Sequence, residues 1–211
     1  MRETDGILFD LDGTLWDAVE GICRGWNRGF QECGLPPVLT VPQLRACMGL
    51  RMEEIAARIL PQIGDGGARM AVMEVCYRHQ LDELAAHGGT LYPGVPETLR
   101  ALSQRFPLCI VSNCQDGYIQ CFLKVHGLED CIRDFECPGR TGCGKAENIR
   151  LVAGRNWLKR PVYVGDTQGD ADAARAAGVP FFHAAYGFGA VETAEARLNG
   201  IGELTGLLTP P

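Results

Sequence analysis

The sequence predicts an α/β protein in which a Rossmann-like parallel sheet carries helices on both faces and a helical domain is inserted into the chain. Three observations predict this class. Short apolar runs are typical of buried strands, and helical patterns lie between most of these runs, as in parallel sheets covered on both faces. One interval between strands, about 95 residues long, is far longer than a single crossover helix needs.

Four short apolar runs are the predicted strands. They cover residues 6–9, 108–111, 161–164 and 179–182. None of them contains a charged residue, as expected for strands that are buried on both faces of a parallel sheet.

Helices are predicted where apolar residues recur at a spacing of three or four. One such pattern covers residues 70–84, a second covers 95–102, and a third covers 119–126. The Pro-Gly pair at 93–94 suits the start of the second helix, and Gly127 suits the cap that ends the third.

The interval 16–89 breaks the alternation, because it contains helical patterns and no convincing strand. Turn signals at 34–37 and 61–67 divide it. We therefore expect a core domain made of residues 1–15 and 90–211, with residues 16–89 forming a helical domain packed over the sheet.

Composition limits the classes of partner. The 211 residues, 46% of them hydrophobic, suffice for one large domain or for a domain with an insertion. A net charge of −6 argues against nucleic acid as a partner, because nucleic acid binds to clustered Lys and Arg.

No segment reaches the ~18 apolar residues of a membrane span, and the first residues lack an apolar signal core. We expect a small-molecule partner; the oligomeric state stays open.

The ten cysteines do not form a metal or disulfide framework that the sequence can identify. There is no Cys-x-x-Cys pair, and the spacing of Cys131, Cys137 and Cys143 is unusual for zinc. Free Cys behaves as a small buried hydrophobe, and a chain of this length builds a core without disulfides. We therefore expect a reduced, cytoplasmic protein.

Two aspartates directly follow the first predicted strand. Alternation along an extended chain places Asp10 and Asp12 on the same side, where their charges repel unless a cation lies between them or one is protonated. A hard divalent cation with oxygen ligands resolves that conflict. A hairpin turn at Asp12-Gly13 leaves Asp10 unexplained, and a calcium loop fails because Leu15 stands where that loop needs glycine.

Polar residues also follow the second and third predicted strands. Ser112 and Asn113 come after the second, and Asp166 and Asp170 come after the third. Ligands of open α/β sheets bind beyond the carboxyl ends of the strands, so these residues are candidates for one site. Lys145, at the start of a helical stretch, adds a cation. Asp170 also fits the last position of a Thr-x-x-Asp helix capping pair, and both roles stay open.

Together, these residues resemble the motifs of the haloacid dehalogenase superfamily, in its phosphatase branch. Residues 10–15 are similar to the first family motif, 111–113 to the second, Lys145 to the third and 165–170 to the fourth. Their order and spacing fit over nearly the whole chain. The interval 16–89 is similar to the helical cap that this family inserts after its first motif.

The resemblance implies a reaction and a metal. Asp10 would attack phosphorus and form an aspartyl-phosphate, and Asp12 would protonate the leaving alcohol and later deprotonate the attacking water. Mg²⁺ would be bound by the carboxylates of Asp10 and Asp166 and by the backbone carbonyl of Asp12, with Asp170 supporting the metal.

The resemblance also implies how the substrate is bound. Ser112, the amide of Asn113 and Lys145 would bind the phosphoryl oxygens. The substrate would be a small phosphorylated metabolite, and the phosphoglycolate phosphatases are the most similar branch. The cap would close over the site and exclude water. Arg51 is a candidate contact for the far end of the substrate, although a surface helix arginine is the commoner explanation.

Other branches of the superfamily fit less well. Asp12 argues against the metal-free dehalogenases, which lack the second aspartate. The phosphonate-cleaving members need a cap lysine, and no lysine precedes Lys124. Sugar-phosphate mutases stay open as an alternative, although Ile22 occupies the place of their cap histidine.

Two unrelated functions also stay open. Residues 139–145 fit the G-x-x-x-x-G-K nucleotide loop of a P-loop kinase, but Ala146 offers no hydroxyl for Mg²⁺. The preceding residues 134–138 are a poor candidate for the buried strand that such a loop follows. A module that binds phosphate without turnover is the second alternative.

Overall fold

A parallel sheet is the centre of the protein, as the sequence predicts, and it has two strands more than the four predicted. The computed structural model describes every residue, 1–211. The strands are β1 (Arg2–Glu3), β2 (Gly6–Phe9), β3 (Trp16–Asp17), β4 (Thr90–Leu91), β5 (Leu108–Val111), β6 (Asp134–Glu136), β7 (Pro161–Gly165), β8 (Phe181–Ala184), β9 (Ala196–Leu198) and β10 (Leu208–Thr209). The central sheet has the order β6-β5-β2-β7-β8-β9, and two short pairs, β1-β10 and β3-β4, lie outside it.

Helices connect these strands and fill the long interval between β3 and β4. They are α1 (Val19–Glu32), α2 (Val41–Arg45), α3 (Met52–Ile59), α4 (Gly66–His87), α5 (Val95–Ser103), α6 (Tyr118–His126), α7 (Pro138–Thr141), α8 (Lys145–Arg155), α9 (Gln168–Ala177) and α10 (Leu204–Leu207). The three predicted helices correspond to α4, α5 and α6, and Gly127 ends α6 in the left-handed conformation. None of the ten helices combines the length and the apolar character that crossing a membrane requires.

The central strand β2 aligns the strands that carry the polar residues. Phe9, its last residue, lies opposite Ile110 of β5 on one side and opposite Val164 of β7 on the other. Every residue of these three strands is buried. The strands therefore end at one edge of the sheet, and the residues that follow them are brought together there.

Strand β8 begins two residues later than the predicted run at 179–182. Gly178 has a φ of 76° and ends α9, and the N–H of Val179 still bonds to the carbonyl of Ala174 at 2.9 Å. Val179 therefore belongs to the helix end, and the strand starts only after Pro180.

Residues 134–138 are a poor candidate for a buried strand, and the structure shows that the first three of them form a strand that is only partly buried. They form β6, an edge strand parallel to β5. Arg155 of α8 forms ion pairs with Asp134 at 2.5 Å and with Glu136 at 2.6 Å. An edge strand can carry charged residues in this way, whereas a central strand cannot.

Helices α1 and α4 form the main contact of the inserted helical region, and three glycines allow their close approach. A Cβ at Gly25 would lie 2.7 Å from the Cα of Gln80, and a Cβ at Gly29 would lie 2.5 Å from the Cα of Cys76. Gly21 lies one turn earlier on the same face. Any larger side chain on this face would push the two helices apart.

Two short strands pair at the two ends of the segment that contains α1 to α4. Trp16 of β3 lies opposite Leu91 of β4, and Asp17 lies opposite Thr90, in antiparallel pairing. The prediction that residues 16–89 contain no strand is therefore wrong at Trp16 and Asp17. Trp16 is fully buried and connects this pair to the core.

Candidate active site

Three buried carboxylates meet at the carboxyl edge of the sheet. Asp10 follows β2, Asp166 follows β7, and Asp170 lies in the first turn of α9. One carboxylate oxygen from each lies within 4.8 Å of the others. The exposed fractions are only 3% for Asp10 and zero for Asp166 and Asp170, so the protein holds a concentrated negative charge away from water.

Lys145, the first residue of α8, partly neutralises this cluster. Its Nζ donates to Asp10 Oδ1 at 2.9 Å and to Asp170 Oδ1 at 2.5 Å. Burial opposes the charge of Lys145, but the two aspartates raise its pKa well above the ordinary value. One ammonium against three carboxylates still leaves an excess of negative charge.

Burial, together with the charge that Lys145 does not neutralise, raises the pKa values of two of these aspartates. Burial, followed by the charges of Asp10 and Asp170, raises the pKa of Asp166 to about 8. Burial and the charge of Asp170 raise the pKa of Asp10 to about 6, against the effect of Lys145. A bound cation would relieve both effects, because it stabilises the ionised form.

Asp166 has a carboxylate oxygen that is available as a metal ligand. Its Oδ2 accepts from the N–H of Phe188 at 2.7 Å, but its Oδ1 is buried without any hydrogen-bond partner. A buried carboxylate oxygen without a donor is costly unless a cation binds to it. Gly13, which has a φ of 84°, contributes to the fit, because a Cβ there would collide with the Asp166 carboxylate.

Asp170 is held by protein donors on both of its oxygens. Oδ1 accepts from Lys145, and Oδ2 accepts from the N–H of Thr167 at 3.0 Å and from its hydroxyl at 2.7 Å. The capping pair considered from the sequence is therefore present. Despite burial, Lys145 and Thr167 keep the pKa of Asp170 below its usual value. Asp170 thus orients Lys145 while it closes the first turn of α9.

Asp12 points into a different environment. Its Oδ1 accepts a hydrogen bond from the hydroxyl of Tyr118 at 2.7 Å. Burial raises the pKa of Asp12 to about 7, and the bond from Tyr118 opposes that rise. The side chain of Asp12 lies outside the three-carboxylate cluster. Sequence analysis did not single out Tyr118, which is 106 residues away and belongs to no motif.

The residues after β5 face both the core and the inserted helices. Ser112 is 4% exposed, and its N–H bonds to the carbonyl of Glu136. The side chain of Asn113 donates to the carbonyl of Gly49 at 3.1 Å. Asn113 therefore connects the end of β5 to the loop before α3 through its side-chain amide.

Arg51 lies beside a cleft between the inserted helices and the core. It immediately precedes α3, and its side chain is about half exposed, with Glu53 at 3.9 Å. It lines a cavity of about 270 Å³ together with Asn113 and Gly139. From the sequence, Arg51 is a candidate substrate contact, with a surface helix arginine as the commoner explanation; in the structure it lines this cleft and does not contact the aspartates.

A second contact joins the inserted helices to the loop that holds Asp166. Arg45 of α2 pairs with Asp17 at 2.8 Å and lies 5.0 Å from the centre of the Phe188 ring. Phe188 is also the residue whose N–H bonds to Asp166. The helical region therefore rests directly on the walls of the acidic cluster.

Residues 139–145 do not form a nucleotide-binding loop, even though a strand precedes them. Such a loop needs free backbone N–H groups to surround a phosphate. The N–H groups of residues 139 to 144 are all bonded within the protein, the last two to Thr141 and Glu147. Lys145 is committed to the aspartates. The geometry therefore excludes a P-loop in this arrangement.

The sequence is similar to a hydrolase family and to phosphatases from other organisms. The haloacid dehalogenase-like hydrolase family matches residues 7–184. A phosphoglycolate phosphatase of Aliivibrio fischeri is 30% identical over 195 residues, which cover 86% of this chain and 84% of that protein. A phosphoglycolate phosphatase of Cupriavidus necator is 28% identical over 97% of this chain and 93% of its own length.

Solved structures show the same fold. A haloacid dehalogenase-like hydrolase from Streptococcus pneumoniae superposes with a TM-score of 0.83 at 22% identity, covering 98% of this chain and 99% of that one. The motifs, the acidic cluster at the sheet edge and these relatives agree. The chain belongs to the haloacid dehalogenase-like hydrolase family and is a phosphatase.

Proposed function

We propose that this phosphatase hydrolyses small phosphate monoesters in a Mg²⁺-dependent reaction that passes through an aspartyl-phosphate at Asp10. One observation carries the proposal. Asp10 lies between a buried ammonium, Lys145, and a buried carboxylate, Asp166, that still lacks a partner on one oxygen. This environment can keep Asp10 ionised and oriented, which a nucleophilic carboxylate needs.

The proposed reaction has two steps. In the first, an oxygen of Asp10 attacks phosphorus, the bond between phosphorus and the ester oxygen breaks, and Asp12 gives its proton to the leaving oxygen. In the second, Asp12 takes a proton from water, the water oxygen attacks phosphorus, and the bond between phosphorus and the Asp10 oxygen breaks, which gives inorganic phosphate and restores the Asp10 carboxylate. The pKa of Asp12, raised to about 7, suits a group that must donate and accept a proton in turn.

Three residues are proposed to bind the transferred phosphoryl group. They are Ser112, the backbone amide of Asn113, and Lys145. The side chain of Asn113 is engaged by Gly49, so only its backbone amide is assigned to the phosphate. Preorganised donors of this kind stabilise the charge on the phosphoryl oxygens without reorganising during the reaction.

Mg²⁺ is proposed to bind to the carboxylates of Asp10 and Asp166 and to the backbone carbonyl of Asp12. The unpartnered Oδ1 of Asp166 supports this assignment. When bound, the ion would neutralise charge on the phosphoryl oxygens and hold them near Asp10. Asp170 is proposed to position Lys145 rather than to bind the ion directly, because both of its oxygens already accept hydrogen bonds.

The substrate is proposed to be a small phosphorylated metabolite such as phosphoglycolate, the compound that names the relatives. Residues 16–89 are proposed to act as a cap domain over the core formed by residues 1–15 and 90–211. A cleft of about 270 Å³ beside Arg51 suits a short anionic group at the far end of such a substrate. A cytoplasmic location is proposed because all ten cysteines are free thiols, as is usual in reducing compartments.

The assay uses p-nitrophenyl phosphate with MgCl₂ or with EDTA. We expect hydrolysis only with MgCl₂, and Asp10→Asn should lower kcat by at least about a thousand-fold, the scale of losing a nucleophile. An amide oxygen at position 10 can still accept from Lys145, so this variant should fold. Asp172→Asn on the exposed face of α9 is the control and should retain activity. Metal-independent turnover, or full activity in Asp10→Asn, would contradict the proposal.

A further inference from the structure

The hydroxyl of Tyr118 fixes one of the two oxygens of Asp12. It donates to Oδ1 at 2.7 Å, the usual length of a well-formed O–H···O hydrogen bond. When Asp12 carries a proton, Oδ1 is already occupied by this donor. A proton on Oδ2 keeps this hydrogen bond intact, so Oδ2 is the oxygen that we expect to carry the proton and pass it on.

The ring of Tyr118 is held in place by packing. Tyr118 is the first residue of α6, is 1% exposed, and follows Gly117, whose φ is 94°. Its ring centre lies 5.4 Å from that of Trp16 at an angle of 59°. The carbonyl of Trp16 in turn accepts from the N–H of Gly13, the neighbour of Asp12. Tyr118 and Asp12 are therefore parts of one rigid unit.

We propose that Tyr118 is a positioning residue for Asp12, holding Oδ1 so that Oδ2 delivers its proton to the leaving oxygen of the substrate. This inference rests on the proposed function, in which Asp12 is the general acid. Tyr118 itself does not touch the substrate. Its effect is to restrict the Asp12 carboxyl group to one rotamer.

Such a role has a chemical signature that a structural role lacks. A strongly basic leaving oxygen needs a proton as its bond to phosphorus breaks, whereas p-nitrophenolate leaves readily as an anion. A misplaced general acid therefore lowers the rate of hydrolysis of esters with poor leaving groups and has little effect on esters with good ones. General loss of packing would slow both alike.

The experiment compares phenyl phosphate with p-nitrophenyl phosphate in Tyr118→Phe. The parameter is kcat/KM, because it reports the step in which the ester bond breaks. We expect kcat/KM for phenyl phosphate to fall by about tenfold to a hundredfold and that for p-nitrophenyl phosphate by less than about threefold, a part of the full contribution of a general acid. Equal losses on both substrates, or no loss on either, would overturn the inference.

The control is Tyr186→Phe, which removes a half-buried hydroxyl that donates to the carbonyl of Thr14 and not to a carboxylate. It should leave the ratio of the two kcat/KM values unchanged. Asp12→Asn separates the proposed role of Asp12 from that of Tyr118. It should lower kcat/KM for phenyl phosphate more than that for p-nitrophenyl phosphate, and by a larger factor than Tyr118→Phe does. If Asp12→Asn shows it and Tyr118→Phe does not, only the role of Tyr118 fails. If the wild type shows no Mg²⁺-dependent hydrolysis, the proposed function itself fails.

Discussion

At the scale of single residues, Lys145 is the group on which the buried charges depend. Lys145 is only 8% exposed, and its ammonium contacts Asp10 and Asp170 at the same time. Removing one partner of a buried ion pair leaves the other charge without compensation, which costs far more than losing a surface pair.

Lys145→Met is therefore expected to lower the free energy of unfolding by about 3–5 kcal/mol. The measurement is urea denaturation in EDTA, so that a bound cation does not replace the lost charge. Lys159→Met is the matched control, since Lys159 is exposed and its loss should cost less than about 0.5 kcal/mol. Similar costs for the two variants would show that Lys145 does not stabilise the cluster.

Sequence motifs predicted the residues of the acidic cluster, and the structure brings Asp10, Lys145 and Asp166 together. Their assigned roles remain predictions. The bond between Tyr118 and Asp12 could not be predicted, because no local spacing relates two residues on different elements. The contact between Asn113 and Gly49 could not be predicted either, because it depends on how the helices α1 to α4 pack on the sheet.

At the scale of elements, the loop before α3 is the point where the helical region meets the site. Gly49 has a φ of 83°, and its carbonyl accepts from Asn113. A Cβ at this position would lie 3.2 Å from the Cγ2 of Thr167, the residue that caps α9. The loop therefore has little room for a side chain on the side that faces Asp170.

Gly49→Ala is expected to lower kcat/KM by about threefold to tenfold, because the new methyl group displaces the loop from Thr167, and small misplacements near a site cost activity. Gly34→Ala is the control, since Gly34 has a φ of 72° and nothing within 4 Å of its added Cβ. Both variants should lose about 1–2 kcal/mol of stability from the left-handed backbone. Only Gly49→Ala should lose activity, as measured by steady-state kinetics. Equal activity in the two variants would contradict a role for the close approach of the Gly49 loop to Thr167.

The elements themselves were predicted well where the pattern is local. Strands β2 and β5 have the predicted bounds, and the three-or-four spacing identified α4, α5 and α6. Differences from the prediction arose where a distant group decides the outcome. Arg155 pairs with the charged residues of β6 and so allows that segment to lie at the edge of the sheet. Val179 bonds to Ala174 after the cap at Gly178 and therefore belongs to the end of α9.

At the scale of the whole molecule, the buried carboxylates link stability, pH and metal binding. The pKa values of Asp10 and Asp166 are raised from 3.8 to about 6 and about 8. Between pH 4 and pH 8, roughly, the folded protein without metal binds more protons at these groups than the unfolded chain does. Their contribution to stability is therefore present below that range and is lost as pH rises through these pKa values.

Mg²⁺ is consequently expected to raise Tm more at about pH 8 than at about pH 6, because protons compete with the ion for the same oxygens. The measurement is thermal unfolding with MgCl₂ and with EDTA at both pH values. Asp166→Asn should abolish the difference, because it removes the negative charge and replaces one of the two carboxylate oxygens with an NH₂ group that cannot bind a cation. A larger stabilisation at the lower pH would contradict the proposed metal site.

The architecture of the whole chain followed from the alternation of strands and helices and from one overlong interval. The close packing of α1 on α4 could have been suspected from the glycines at every fourth position, but the sequence alone does not say which helix they face. The division into core and cap remains a prediction, because packing of the helices on the sheet does not by itself define independent domains.

The central claim is that Asp10 carries the phosphoryl group during turnover. The most direct test mixes the enzyme with p-nitrophenyl phosphate and MgCl₂, quenches it during turnover, reduces it with borohydride and maps the peptides by mass spectrometry. An acyl phosphate is reduced to the alcohol, so the account predicts homoserine at position 10 and at no other aspartate. Homoserine at another position, or none in an enzyme that is turning over substrate, would contradict it.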